Sequence, residues 1–368
     1  MVIMDPDREW VFSADPLGRI SWVHTPGKKY RRSHFNQWYR LKRDLWNALD
    51  VIDTNEITDA VTAWRPVWER AYKKATEPLK QRLHQWVDRF ADFHREDGER
   101  FSSVYQSIPI LPPDAYQTLY IQLSRGCPWN QCAFCNFYKD RDYQVPGLDD
   151  LAEHLHAVRD YWKGALGGRN GLFLGDANAI AIPMEGLVER LRLVRTKFPE
   201  DTFARLASFS DFFSAPNRAD YDFARLRQEG LQRICMGIES GHLELLEQID
   251  KALGPKDISN AIQRAKAGDI RVSLIFIVGL GGYRYREPHF RYSMELLSRL
   301  PLERCDRIYL SPLVVQSRPD YTEVARTDEW ELLTNGEVEV EMARWKNEIV
   351  KLHPTLPVSL YNIQLFTY

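Results

Sequence analysis

Three of the five cysteines in this 368-residue chain, Cys127, Cys132 and Cys135, fall within nine residues of the segment RGCPWNQCAFCNFY (Arg125–Tyr138). Thiols so close together can do three kinds of chemistry. A structural zinc ion needs four ligands, usually completed by a second CxxC or a paired histidine. No second CxxC exists, and His154 and His156 follow within a helical pattern. A redox CxxC pair uses two thiols and leaves Cys127 without a role. Three thiolates with no obvious fourth fit a [4Fe–4S] cluster with one iron left open.

The elements that must position such a loop are legible around it. From Leu119 onward, short β-type runs alternate with helical stretches: residues 119–124, 171–175, 203–208, 233–238, 272–279 and 307–312. Between the first two, Leu148, Leu151, Leu155, Val158 and Trp162 mark one apolar helix face. Strand–helix units without hairpin signals imply a parallel sheet wrapped by helices, and right-handed crossovers curl it toward a barrel. The expected class is α/β, a partial (β/α)6 parallel barrel with a mainly helical N-terminal region and a short C-terminal extension. In such a fold the reactive residues gather at the strands' C-terminal ends. The cysteine loop directly follows the first strand.

Three segments are expected: an accessory region over 1–110, the partial barrel over 111–315 and an extension over 316–368. The first has a different texture, with seven tryptophans and two stretches of helical spacing after a short β-rich start near Trp10–Val23. The Pro-rich IPILPPDAY (Ile108–Tyr116) marks the boundary. Charged residues make up 27% of the chain and nearly balance, for a net −2, which excludes a bulk nucleic-acid binder. No signal peptide or run of about 20 apolar residues is seen. A cytoplasmic protein without a membrane partner is expected, and five cysteines with three bunched do not make a disulfide framework.

An iron left open can chelate a molecule with an amine and a carboxylate, and S-adenosylmethionine is such a ligand. Here the sequence resembles the radical S-adenosylmethionine (radical SAM) enzymes. Their usual signature is CxxxCxxC with an aromatic residue before the third cysteine. This chain has CxxxxCxxC, the longer first gap of a subset of that family, with Phe134 in the aromatic place. The resemblance covers about residues 115–315. It implies a [4Fe–4S] cluster held by Cys127, Cys132 and Cys135, with S-adenosylmethionine bound beside it. It also implies contacts to that ligand from Gly175 and Asp176 in LGDAN, Ser208 in RLASFS and Glu239 in GIESG. Gly279 and Gly281 in FIVGLGG would lie beside the adenine, and Arg264 would reach the carboxylate. Singly, each has a structural alternative: Asp176 as a helix cap, Glu239 as a solvated helix start, Phe134 as core. Cys235 reads as a small buried hydrophobe.

The activity the resemblance implies is reductive cleavage of S-adenosylmethionine to a 5′-deoxyadenosyl radical that abstracts hydrogen from a substrate, with an electron donor such as flavodoxin or ferredoxin as partner. Tyr138, Asp211 and His289 are the candidate catalytic or substrate-contacting residues. The substrate is expected to be a small molecule, since no RNA module follows the core and nucleic acid is not expected as a partner. Two alternatives stay open. One is an RNA-modifying enzyme using the basic, aromatic segment KKYRRSHFNQWYRLKR (Lys28–Arg43), which otherwise reads as a solvated helix face with inward aromatics. The other is a non-catalytic iron–sulfur protein that keeps the fold.

Overall fold

The computed structural model describes every residue except Met1, 6–9, 43–47, 199–204, 212–218, 252–253, 316–318 and 328–329. The chain forms two compact units. The first comprises Met1–Ile108, Ala157–Arg169 and Gln364–Tyr368; the second comprises Pro109–His156 and Asn170–Ile363.

In the first unit, the described residues form a six-stranded antiparallel meander, β1 (Val2–Asp5), β2 (Trp10–Ala14), β3 (Ile20–Thr25), β4 (Lys28–Arg32), β5 (Trp38–Leu41) and β6 (Leu49–Ile52). Helices α1 (Thr54–Ala63), α2 (Arg65–Lys74), α3 (Glu77–Asp88) and α4 (Phe90–Val104) follow. The core joins sheet to helices: Phe12 meets the edges of Trp64 and Trp68 at 5.1 and 4.7 Å. Trp46 lies outside the described residues.

The strands run further than the expected short β-rich start, and the segment Lys28–Arg43 is corrected from helix to β4 and β5. Lys28 and Lys29 are exposed while Tyr30 and Arg32 turn inward, a period of two. Two inward residues at that spacing, one of them an arginine, are too few to separate a strand from a helix by pattern alone. Its charges are largely answered within the unit. Arg32 pairs with buried Asp97 at 2.9 Å, and Arg40 with Asp50 and Glu56 at 3.1 and 3.2 Å. Arg31 donates to the carbonyls of Leu365 and Thr367.

The second unit is built on β7 (Leu119–Gln122), the first part of α5 (Leu148–Trp162, of which Ala157 onward belongs to the first unit), β8 (Leu172–Gly175), α6 (Met184–Lys197), β9 (Leu206–Phe209), α7 (Asp220–Gln228) and β10 (Leu231–Glu239). It continues through α8 (Leu243–Gln248), α9 (Pro255–Ala267), β11 (Arg271–Val278), α10 (Gly282–Arg299), β12 (Arg307–Pro312), α11 (Pro319–Thr327), α12 (Asn335–Leu352) and β13 (Val358–Leu360). The seven strands lie in the order β13-β12-β11-β10-β9-β8-β7. Every pairing is parallel, so spatial order follows chain order and the sheet is wound in one direction. The sheet is an open, partial barrel. Strands β7 and β8 are buried along their whole length, as a sheet covered on both faces requires.

The seventh strand comes from the C-terminal run VSL, which the sequence reading placed in the extension. Helix α12 completes that crossover. It starts at a capping box, Thr334 with Glu337, and seats Trp345 against Phe276. No helix among the described residues is long and apolar enough to cross a membrane.

Candidate functional site

The cysteine loop leaves the C-terminal end of β7 and is closed at its base by an antiparallel bridge. Arg125 N donates to Gln144 O at 2.8 Å and Gln144 N to Arg125 O at 3.0 Å. Inside that closure Gly126 sits at φ +74°, and a Cβ there would lie 2.6 Å from the Asp142 carbonyl oxygen, so only glycine fits. Cys127 follows at once. Its Sγ accepts from Asn130 N at 3.3 Å, and Asn130 Nδ2 donates to the Tyr138 carbonyl at 2.8 Å. Cys135 N donates to Cys132 O at 3.1 Å. The far side of the loop is tied to the turn after α8, where Ala133 N donates to Ile249 O and Trp129 Nε1 to Asp250 O.

All three thiols are half-buried and line one cavity of about 170 Å³. The rest of its wall comes from the C-terminal ends of successive strands: Ala177 after β8, Phe209 to Asp211 at the end of β9, Glu239 ending β10, Ile277 in β11, Ser311 in β12 and Tyr361 after β13. This is the end at which a parallel barrel keeps its chemistry.

Charge enters the cavity as one buried pair, Glu239 and Lys251, beside the half-buried carboxylate of Asp211. Lys251 Nζ donates to Glu239 Oε1 at 3.0 Å, with the two side chains 9% and 7% exposed. Burial would lower the Lys251 amine, but the charges of Glu239 and Cys132 outweigh it and hold the amine above its ordinary value. The amine also lies 5.7 Å from the centre of the Phe134 ring. Burial pushes the Cys132 thiol up to about 12 and raises Cys127 as well. Three hydroxyls on the wall, those of Tyr138, Ser210 and Tyr361, are buried with no hydrogen-bond partner among the described residues. Such groups call for a ligand or water.

The structure therefore brings together Cys127, Cys132, Cys135, Phe134, Tyr138, Asp211 and Glu239. Asp211 is oriented by Asn178, whose Nδ2 donates to it at 2.7 Å. Other candidates take different places. Asp176 is fully buried and outside the cavity wall. It accepts from the Tyr120 hydroxyl (2.9 Å), Gln122 Nε2 (3.0 Å) and Gly126 N (3.0 Å), and so anchors the residue before Cys127. Gly175 packs on Tyr120, whose hydroxyl a Cβ would overlap. Ser208 donates to the carbonyls of Leu174 and Phe209 within the sheet, and its neighbours Phe209 and Ser210 line the cavity. Gly279 and Gly281 adopt positive φ where α12 and α10 press close: a Cβ would meet Val338 at 2.9 Å or Tyr285 at 2.7 Å. Arg264 is exposed on α9 and is not part of the wall.

His289 also lies outside the cavity wall. It is 2% exposed on α10, with its ring 4.7 Å from that of Trp345. Nε2 donates to the Ile277 carbonyl at 3.0 Å, so Nδ1 accepts from Ser240 Oγ at 2.7 Å and the ring is neutral. Burial pushes its pKa down to about 4. A depressed histidine contributes stability that is present above its unfolded value, about 6.5, and is lost as pH falls toward the folded value, here about 3 kcal/mol. Urea unfolding at pH 7 and pH 5 is expected to show a steeper acid loss for the parent than for His289→Asn. Equal slopes would remove His289 from the acid response.

Lys251 is a charged residue of the cavity wall that sequence reasoning missed. It follows a short helix, in a stretch with no periodic or glycine signal, and only the fold brings it back over β10. Asp176→Ala is expected to leave three donors without their acceptor, costing about 3–5 kcal/mol in denaturant unfolding and loosening the cysteine loop. Parent-like stability and iron content in that variant would show that Asp176 does not anchor the loop.

The donor set, three sulfurs opening on a cavity with polar walls, fits a [4Fe–4S] cluster with one open iron.

Residues 121–291 match the Radical SAM superfamily. The heme chaperone HemW of Buchnera aphidicola subsp. Acyrthosiphon pisum is 23% identical over 184 residues, 48% of this chain and 46% of that protein. The chain thus spans about half the length of the curated relative it matches. Among solved structures, coproporphyrinogen III oxidase (HemN) from Escherichia coli, described as a radical SAM enzyme, aligns with a TM-score of 0.46 and 16% identity, covering 67% of this chain and 55% of that one. Methylornithine synthase (PylB) aligns with a TM-score of 0.43 and 13% identity, covering 66% and 70%.

Proposed function

We propose, from the match of residues 121–291 to the Radical SAM superfamily, that the chain is an enzyme that cleaves S-adenosylmethionine reductively and abstracts hydrogen from a small-molecule substrate. The observation that carries this reading is the convergence of three half-buried thiols, one buried ion pair and three partnerless hydroxyls on a single cavity. Cys127, Cys132 and Cys135 would hold the cluster. The chemistry such a cluster supplies when bound is one-electron reduction of S-adenosylmethionine to methionine and a 5′-deoxyadenosyl radical.

The chain's own residues have distinct proposed tasks. The Glu239–Lys251 pair offers a carboxylate to hydroxyl or amino groups and an ammonium to a carboxylate, the two ends of an amino-acid-bearing ligand. Phe134, Phe209 and Ile277 exclude water from the cavity, which protects a radical from quenching. Tyr138, Ser210, Tyr361 and Asp211 are placed to orient a polar substrate. The boundaries 1–110, 111–315 and 316–368 stand as the proposed domain division, with β13 contributed to the core sheet by the last segment. Nucleic acid is not proposed as a partner, because much of the charge on Lys28–Arg43 is answered internally.

Likeness to a heme chaperone favours one second reading, an iron–sulfur protein that binds a tetrapyrrole without turnover. Anaerobic protein reconstituted with iron and sulfide, then given S-adenosylmethionine and dithionite or reduced flavodoxin, is expected to release 5′-deoxyadenosine. Absence of 5′-deoxyadenosine from protein that carries a full cluster and binds S-adenosylmethionine would sink the catalytic reading and promote the second.

A further inference from the structure

We propose that the opposite end of the parallel sheet, where the strands begin, is a second ligand site, one that takes a small polyanion carrying two or more phosphate or carboxylate groups. Four consecutive strands enter the sheet beside an arginine. Arg205 immediately precedes β9, Arg233 lies near the start of β10, and Arg271 and Arg307 are the first residues of β11 and β12. Arg233 and Arg271 are partners in the parallel register. Arg307 is in register with Ser273, two residues beyond Arg271. The register thus sets the guanidinium-bearing residues side by side at one mouth, and all four line a cavity of about 350 Å³ floored by Phe173, Ala207 and Cys235.

The charge at that mouth is far from balanced. Among the described residues, the one carboxylate in its wall is Asp114, so four guanidiniums against it leave a formal +3. Asp114 is already engaged: it accepts from Arg233 Nη1 at 2.7 Å and from the Tyr309 hydroxyl, and stands 3.9 Å from Arg307 Nε. Arg233 spends its other nitrogen on the Cys305 carbonyl, and Arg307 Nη1 is bonded to Ser359. Arg307 Nε is buried and has no hydrogen-bond partner. Among the described residues, no side-chain hydrogen bond or ion pair is seen for Arg205 or Arg271, and both are exposed at the rim. Guanidinium forks match phosphate and carboxylate oxygens in pairs, and a concave site walled by one sign of charge concentrates its counter-ion.

The shape favours a small ligand over an acidic protein. A flat protein face can reach Arg205 and Arg271 at the rim, but not Arg307 Nε inside the cavity. Cys235 lines both this cavity and the one bearing the cluster cysteines, so one side-chain layer separates the two. Occupancy of the arginine site requires neither cluster nor S-adenosylmethionine, and its test stands apart from the function proposed above.

The test is calorimetric titration of the full chain with inorganic pyrophosphate and, separately, citrate, at constant ionic strength. One saturable site per chain is expected for at least one probe, and the tighter of the two identifies phosphate or carboxylate as the recognised group. Arg271→Gln and Arg307→Gln are each expected to weaken binding roughly 10- to 150-fold, the range of a lost charge-assisted hydrogen bond. Asp114→Asn removes the competing negative charge, keeps an acceptor for Arg233, and is expected to tighten binding. Arg271 is exposed, so its variant tests the site without disturbing the core. The proposal is overturned if neither probe binds at millimolar concentration, if binding survives the Arg271→Gln/Arg307→Gln double variant unchanged, or if only an acidic protein such as flavodoxin binds there.

Discussion

Alanine in place of any one of Cys127, Cys132 and Cys135 is expected to reduce bound iron from about four per chain to near zero after anaerobic reconstitution, and to abolish 5′-deoxyadenosine formation. The three thiols share one closed loop and one cavity, so each supplies a third of the protein's hold on the cluster. Two ligands leave two irons open and the cubane exposed to loss. Cys235→Ala and Cys305→Ala are expected to keep full iron content. Cys235 lies inside β10, buried, with its thiol pushed up to about 12 by burial, and Cys305 is exposed beside Glu303. The absorbance of the reconstituted protein near 400 nm and its iron content give the answer directly. Cluster retained in Cys127→Ala and lost in Cys235→Ala would reverse the assignment.

The second large effect belongs to Lys251. Lys251→Met is expected to destabilise the protein by about 3–5 kcal/mol, because it leaves the Glu239 carboxylate buried without its partner. Most of that cost is the desolvated charge and not the lost attraction. The double variant Lys251→Met/Glu239→Gln is therefore expected to regain at least half of it. The amine is held above its ordinary value, so the contribution of its charge is complete below about pH 10.4 and is lost as pH rises through the folded value. Denaturant unfolding of the parent, both single variants and the double variant forms a complete cycle. A double variant no more stable than Lys251→Met would show that the cost lies in packing around the lysine stem. Binding of S-adenosylmethionine is expected to weaken in both single variants, whose charges face the same cavity.

The cysteine loop, its place after the first strand and the direction of the sheet could all be read from the chain. Each depends on local information: ligand spacing, a strand signal beside a glycine, and the beat of strand and helix without hairpin turns. Glu239, Asp211, Tyr138 and Phe134 were reachable for the same reason, since each lies within a few residues of a strand end or of a cysteine. What sequence could not decide is where a side chain at a strand end points. Asp176 and Ser208 follow the same rule as Glu239, yet the first turns beneath the loop to hold Gly126 and the second bonds within the sheet, because the twist and stagger of neighbouring strands set the direction. Gly279 and Gly281 of FIVGLGG are pressed by α12 and α10, the former helix more than 50 residues away. Lys251 enters the cavity only because the turn after α8 is bonded to the cysteine loop through Ala133 and Trp129. The seventh strand is three residues long, too short for any pattern, and exists because β12 offers it an unpaired edge. The types and spacing of residues thus determined the chemistry available to this protein, while register and long-range packing decided which side chains reach it, since those depend on contacts between residues distant in the chain.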